Sequence, residues 1–149
     1  MKETERPVEV LLIEDNPDDA TLAMKALREF MTNEIVWLKD GEEAMNFLFG
    51  KGEYSGRDIT IKPKVILLDL KMPKVDGTEL LQILRMDKLT KNIPVVVMTS
   101  SKEDSDLKKC YEYGVNSYVV KPIDFGQFIK AARQISMYWL LVNEPPNLD

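Results

Sequence analysis

The chain has 149 residues and a mass of 17.1 kDa, the size of one ordinary domain, so a regulator fused to a separate sensor or effector is not expected. With 44% hydrophobic and 30% charged residues it can bury a core, and a net charge of -5 excludes a generally basic nucleic-acid or anionic-membrane surface, leaving only a local basic patch open. Histidine is absent, which excludes His-based triads, His metal sites and His proton shuttles; any chemistry runs on carboxylates, hydroxyls and amines. One cysteine, Cys110, cannot form an internal disulfide or a Cys-x-x-Cys site, as suits a reducing, cytoplasmic compartment.

Residues 1–7 form a leader whose Lys2, Glu3, Glu5 and Arg6 make a poor signal peptide. The first apolar run, 8–13, has strand length and ends at Glu14 and Asp15. Asn16 then caps a helix with Pro17 at its first position and Asp18 and Asp19 in the first turn, where the dipole favours negative charge. Its apolar positions Ala20, Ala23, Met24, Leu27 and Phe30 keep helical spacing. A weaker strand is expected over 35–38, and a helix from Gly41 through Ala44, Met45 and Leu48 to Gly50. Residues 50–64, rich in glycine and charge, read as a long surface connection.

A second strong run, 65–68, ends at Asp69 and is followed by a helix carrying Leu80, Leu81, Ile83 and Leu84. The run 95–98 leads to Thr99 and Ser100, and a helix from near Ser101 stops at Gly114, a natural residue for a left-handed helix end. The last run, 118–120, ends at Lys121 and Pro122, and a helix from near Asp124 holds Phe128, Ile129, Ala132 and Ile135. No apolar stretch approaches the roughly 18 to 20 residues that span a bilayer, so no membrane contact is expected. Unbroken apolar strands alternating five times with helices predict an α/β fold, a parallel sheet covered on both faces.

Ligands of such sheets gather at the carboxyl ends of the strands. Those ends carry Glu14 and Asp15, Asp69, Thr99, and Lys121. Three carboxylates packed together repel one another, and a hard divalent cation is their ordinary remedy; Mg2+ suits this ligand set. An ammonium and a hydroxyl opposite them complete a phosphoryl site. Each residue alone has a plainer reading, as a turn acid, a surface lysine or a strand-end hydroxyl, but their joint occurrence at one end of four strands makes coincidence a poor account.

With Glu14-Asp15, the segment Asp69-Leu-Lys-Met-Pro-Lys-Val-Asp-Gly77, Thr99-Ser100 and Lys121-Pro122 in this order, the chain resembles the receiver domain of two-component response regulators over residues 8–136. The resemblance implies a flavodoxin-like (βα)5 doubly wound sheet of strand order 2-1-3-4-5. It implies that Asp69 accepts a phosphoryl group from a histidine kinase or phosphotransfer protein. Asp15, Asp69 and the main-chain carbonyl of Lys71 would bind Mg2+ directly and Glu14 through water; Glu14 stands where many relatives have aspartate, which leaves the coordination open. Thr99 and Lys121 would donate to phosphoryl oxygens, and Tyr118 would be the switch aromatic, turning inward as Thr99 moves. Tyr118 read by itself is equally an edge-strand tyrosine with a half-buried ring. A cis bond before Pro122 is implied as well, and Asp76 is given no catalytic role.

The implied protein is a phosphoacceptor switch that catalyses only its own phosphorylation and dephosphorylation, of a bacterial type, signalling through its surface to a downstream protein target without binding nucleic acid. Two other classes compete with this reading. A phosphate-independent binding module would have lost the acceptor, the lysine or the acidic pair, and all are present. A phosphohydrolase using an aspartyl phosphate would need an acid two residues after the nucleophile, where this chain has Lys71. Lys71 and Ser101 fall where the family tunes dephosphorylation. The tail, 137–149, has Met137, Trp139, Leu140, Leu141 and Val142 before Pro145 and Pro146. It reads either as the fifth helix continuing onto its own domain or as a homodimer interface. Tail and long connection together resemble the small regulators paired with bacterial phytochromes.

Overall fold

A computed structural model describes residues 8–29 and 34–144. The leader 1–7, Phe30, Pro145 and Pro146 lie outside these residues. Five strands, β1 (Val8–Ile13), β2 (Glu34–Leu38), β3 (Val65–Leu68), β4 (Val95–Thr99) and β5 (Ser117–Val120), pair in parallel in the order β2-β1-β3-β4-β5. This is the expected fold, and the register aligns Ile13 with Leu68 and Leu68 with Val97, so the strand ends form one ledge.

Because side chains alternate along a strand, the unbroken apolar runs supply two cores at once. Leu11, Ile13, Ile66, Leu68, Val95 and Val97 pack toward α2 (Gly41–Phe49), α3 (Gly77–Met86) and α4 (Asp104–Glu112). Val10, Leu12, Val65, Leu67, Val96 and Met98 pack toward α1 (Pro17–Arg28) and α5 (Phe125–Ser136). The small inward stripe Ala20, Ala23 and Ala26 brings α1 close to the sheet, and Arg133 of α5 forks onto Glu29 at 2.8 and 3.0 Å. Among the described residues no helix is long and apolar enough to cross a membrane.

Helix starts follow their caps. The Asn16 side chain accepts from the amides of Asp18 and Asp19 at 2.9 and 3.2 Å, and Asp40, Asp76 and Asp124 cap α2, α3 and α5 in the same way. The α4 helix begins at Asp104, three residues later than expected from Ser101. The Ser101 hydroxyl donates to Asp106 at 2.6 Å and accepts from the Glu103 amide at 3.3 Å, which holds 101–103 in a turn instead. Gly114 ends α4 with φ +83, as its position suggested. Gly77 is needed for a different reason: a Cβ there would lie 2.6 Å from the Asp69 carbonyl oxygen, so any larger residue displaces the backbone at the end of β3.

The long connection contains one 3-10 turn, Gly52–Tyr54, and is pinned by Tyr54 and Arg57 against the Phe47 ring. After α5 the helix runs on through Met137–Val142 with its hydrogen bonds widened to five residues, as in Asn143 N to Tyr138 O at 2.7 Å. The two readings of the tail divide along this turn. Leu140 and Trp139 pack on the α1 and α5 face, whereas Met137, Tyr138, Leu141 and Val142 stay exposed.

Candidate functional site

The parallel ladder carries one residue past each strand and thereby fixes the site's backbone. Glu14 N donates to Leu38 O at 3.0 Å, Asp69 N to Ile13 O at 3.0 Å, and Lys121 N to Thr99 O at 2.7 Å. Glu14, Asp69 and Thr99 are buried, and Asp15 is exposed at the rim. Trp37 on the edge strand donates its indole N–H to the Glu14 carbonyl at 2.7 Å, tying that corner down.

Lys121 organises the centre. Its Nζ lies 2.5 Å from Glu14 Oε1, 2.8 Å from Asp19 Oδ2 and 3.2 Å from Asp69 Oδ2, and only 9% of the side chain is exposed. Each of the three ammonium protons thus has a carboxyl oxygen. The other Asp69 oxygen, Oδ1, accepts from the Lys71 amide at 3.4 Å. No cis peptide bond occurs among the described residues, so the expected cis bond before Pro122 is corrected: the lysine reaches the acids from a trans linkage.

The geometry brings together Glu14, Asp15, Asp69 and Lys121 as expected. Carboxylate oxygens of Glu14, Asp15 and Asp69 lie within 4.8 Å of one another, Glu14 and Asp69 buried and Asp15 exposed, a donor set of hard oxygens that fits Mg2+. Thr99 is adjacent but turned to the next loop, where its hydroxyl accepts from the Ser101 amide at 3.4 Å. Tyr118 is half-buried, and its hydroxyl donates to the Ser101 carbonyl at 3.0 Å. No hydrogen bond joins Thr99 or Tyr118 to Asp69 among the described residues. The Lys71 side chain leaves the site to pair with Asp106 at 3.2 Å, which lowers the Asp106 pKa together with the Ser101 hydroxyl, the larger cause.

Asp19 was missed as a site residue, because an acid in a first helical turn is already explained by the dipole. The distinguishing signal was its place four residues before the inward Ala23, on the stripe that faces the sheet. Asp18, one step round the helix, is exposed.

Electrostatics follow from crowding. The Glu14 carboxyl is raised to about 8: burial, the largest cause, and the charge of Asp69 push it up and together outweigh the downward pull of Lys121. Burial by itself depresses the Lys121 ammonium, but its bonds to Asp19 and Glu14 and the charges of Asp69 and Glu14 outweigh that, and its pKa is raised. A carboxyl raised from 4.5 to about 8 holds a proton in the folded chain that the unfolded chain releases. Its contribution to stability is complete below about pH 4.5 and lost as pH rises to about 8. In Mg2+-free buffer the melting temperature of Glu14→Gln relative to wild type is therefore expected to rise across that window; a constant difference contradicts it.

The response regulator receiver domain model matches residues 10–133. The probable methanogenesis regulatory protein FilR2 of Methanothrix harundinacea is 41% identical over 97% of this chain and 91% of its own. Response regulator Rcp1 of Synechocystis is 37% identical over 93% of this chain and 92% of its own. The solved structure of its Mn(2+)-bound form covers 95% of this chain and 100% of that one with a TM-score of 0.87. The phosphorylated cyanobacterial phytochrome response regulator RcpA is 36% identical, covers 95% and 99% of the two chains, and has the same TM-score.

Proposed function

Since the chain belongs to the response regulator receiver family, we propose that it is the phosphoacceptor of a cytoplasmic two-component system, with Asp69 taking a phosphoryl group from a histidine kinase or phosphotransfer protein. The observation that carries this reading is the contact of Lys121 with Asp69 and Glu14 at one buried corner, where a transferred phosphoryl group would need its charge met. Residues 8–136 form the receiver in this reading and 137–149 its extension.

A carboxylate oxygen of Asp69 forms the new O–P bond while the bond from phosphorus to the donor's imidazole nitrogen breaks, the electron pair leaving with nitrogen. Asp15, Asp69, the Lys71 carbonyl and, through water, Glu14 are the residues that would hold Mg2+, which supplies positive charge beside the phosphoryl oxygens when bound. Lys121 keeps its ammonium within one contact of Asp69 and donates to the phosphoryl oxygen that appears there. The Thr99 hydroxyl swings from the Ser101 amide to a second oxygen. Treatment with acetyl phosphate tests this: intact mass should show one added phosphoryl group that disappears with EDTA or in Asp69→Asn, and an adduct indifferent to both would refute it.

Movement of Thr99 releases Ser101, whose carbonyl holds Tyr118, and this is how the signal leaves the site in this reading. Tyr118→Phe is expected to leave the phosphorylation rate within about twofold but to abolish most beryllofluoride-induced amide shift changes in α4 and β5. Full shift changes in the variant would remove the switch role.

The partner proposed is a phytochrome-type kinase, supported by the phytochrome response regulator among the relatives; a downstream target protein follows from signalling through the surface. The exposed Met137, Tyr138, Leu141 and Val142 support a homodimer through α5 and the tail. Leu141→Asp with Val142→Asp spares the buried Leu140 and should convert a sedimenting dimer to monomer; a wild type that is monomeric at all concentrations ends the dimer reading.

A further inference from the structure

Of the three acids around Lys121, two belong to the group suited to a cation, Glu14 and Asp69, and the third, Asp19, does not. We propose that Asp19 is the positioning residue of Lys121, holding the ammonium over the acceptor while its other two contacts are given up. This rests on the phosphoacceptor reading of Asp69.

Three ammonium protons meet three carboxyl groups, so every contact counts toward the lysine's aim. A cation drawn to Glu14 and Asp69 takes their lone pairs away from Lys121. A phosphoryl group on Asp69 takes the carboxylate charge itself away. Asp19 is touched by neither event, and 2.8 Å from Nζ it remains a charge-assisted partner throughout.

Asp19 stands on a rigid footing. Asp19 N donates to the Asn16 cap, and the following Ala20 and Ala23 are buried against the sheet. Lys121 stands at the end of β5, where its N–H donates to the Thr99 carbonyl at 2.7 Å, and the ammonium at the tip of its long side chain is aimed by its three acid partners. An anchor on the helix therefore sets where the ammonium points, and correct placement of such a group is worth one to two orders of magnitude in rate.

The experiment is a double-mutant cycle on the full chain, with initial phosphorylation by acetyl phosphate followed by intact mass at saturating Mg2+. Asp19→Asn, nearly the same shape and 27% exposed at its side chain, is expected to slow the reaction about tenfold with its melting temperature little changed. In the Lys121→Ala background the same change should alter the rate less than about twofold, because the side chain it aims is gone. Equal losses in both backgrounds, or a single-variant rate restored once Mg2+ saturates, would overturn the proposal and leave Asp19 as a general negative charge for the cation. A wild type that takes no phosphoryl group under these conditions overturns the underlying reading and the proposal with it, a result distinct from a phosphorylated wild type with an indifferent Asp19→Asn.

Discussion

Lys121→Ala is expected to slow phosphorylation of Asp69 by about a hundredfold or more at saturating Mg2+, while Mg2+ itself binds as tightly or tighter. Removing one preorganised donor from a water-poor site costs about two to three orders of magnitude in rate. Here the donor is an ammonium with 9% of its side chain exposed and 3.2 Å from Asp69 Oδ2. Binding moves the other way because the lysine competes with the cation for Glu14 and Asp69. The metal-free variant should also melt lower, since the buried Asp69 and Glu14 lose the ammonium they share, a loss worth about 3–5 kcal/mol when a buried pair is broken. Added Mg2+ should then raise its melting temperature more than that of wild type. A rate within about threefold of wild type contradicts the role of Lys121 as the charge-meeting donor.

Asp15→Asn separates metal binding from transfer. Asp15 is the exposed member of the acidic group, so the substitution disturbs no packing and the melting temperature without Mg2+ should hold or rise as repulsion falls. Mg2+ affinity should drop by about ten- to a hundredfold, the loss that even an outer partner of a metal ligand produces. Calorimetry reads it directly, and fluorescence of Trp37, bonded to the Glu14 carbonyl, reads it at the site. Affinity within about twofold of wild type would mean that Asp15 is a turn acid and no ligand.

The fold was legible because burial on both sheet faces leaves a one-dimensional trace. The unbroken runs at β1, β3 and β4, and the Asn16-Pro17 start of α1, come from local chemistry that no tertiary contact needed to override. The site was legible as residues at strand ends, since a parallel sheet aligns those ends whatever the helices do. What lay beyond sequence was which way a polar side chain turns. Asp19 satisfies the helix dipole and Lys121 at once, and only the second use marks it as part of the site. Ser101 reads as a helix start, yet its hydroxyl spends both its bonds on Asp106 and Glu103 and delays α4 to Asp104. The tail read as either core or interface because its inner residues, Trp139 and Leu140, pack while its outer ones stay exposed.

Every step proposed above requires the phosphoryl group to reside on Asp69. Borohydride reduces an aspartyl phosphate to homoserine, so protein treated with acetyl phosphate and Mg2+, quenched, reduced and digested should carry homoserine at position 69 and at no other acid. Homoserine at Asp15, Asp76 or another carboxylate, or none from a wild type that had gained the phosphoryl mass, would contradict the account.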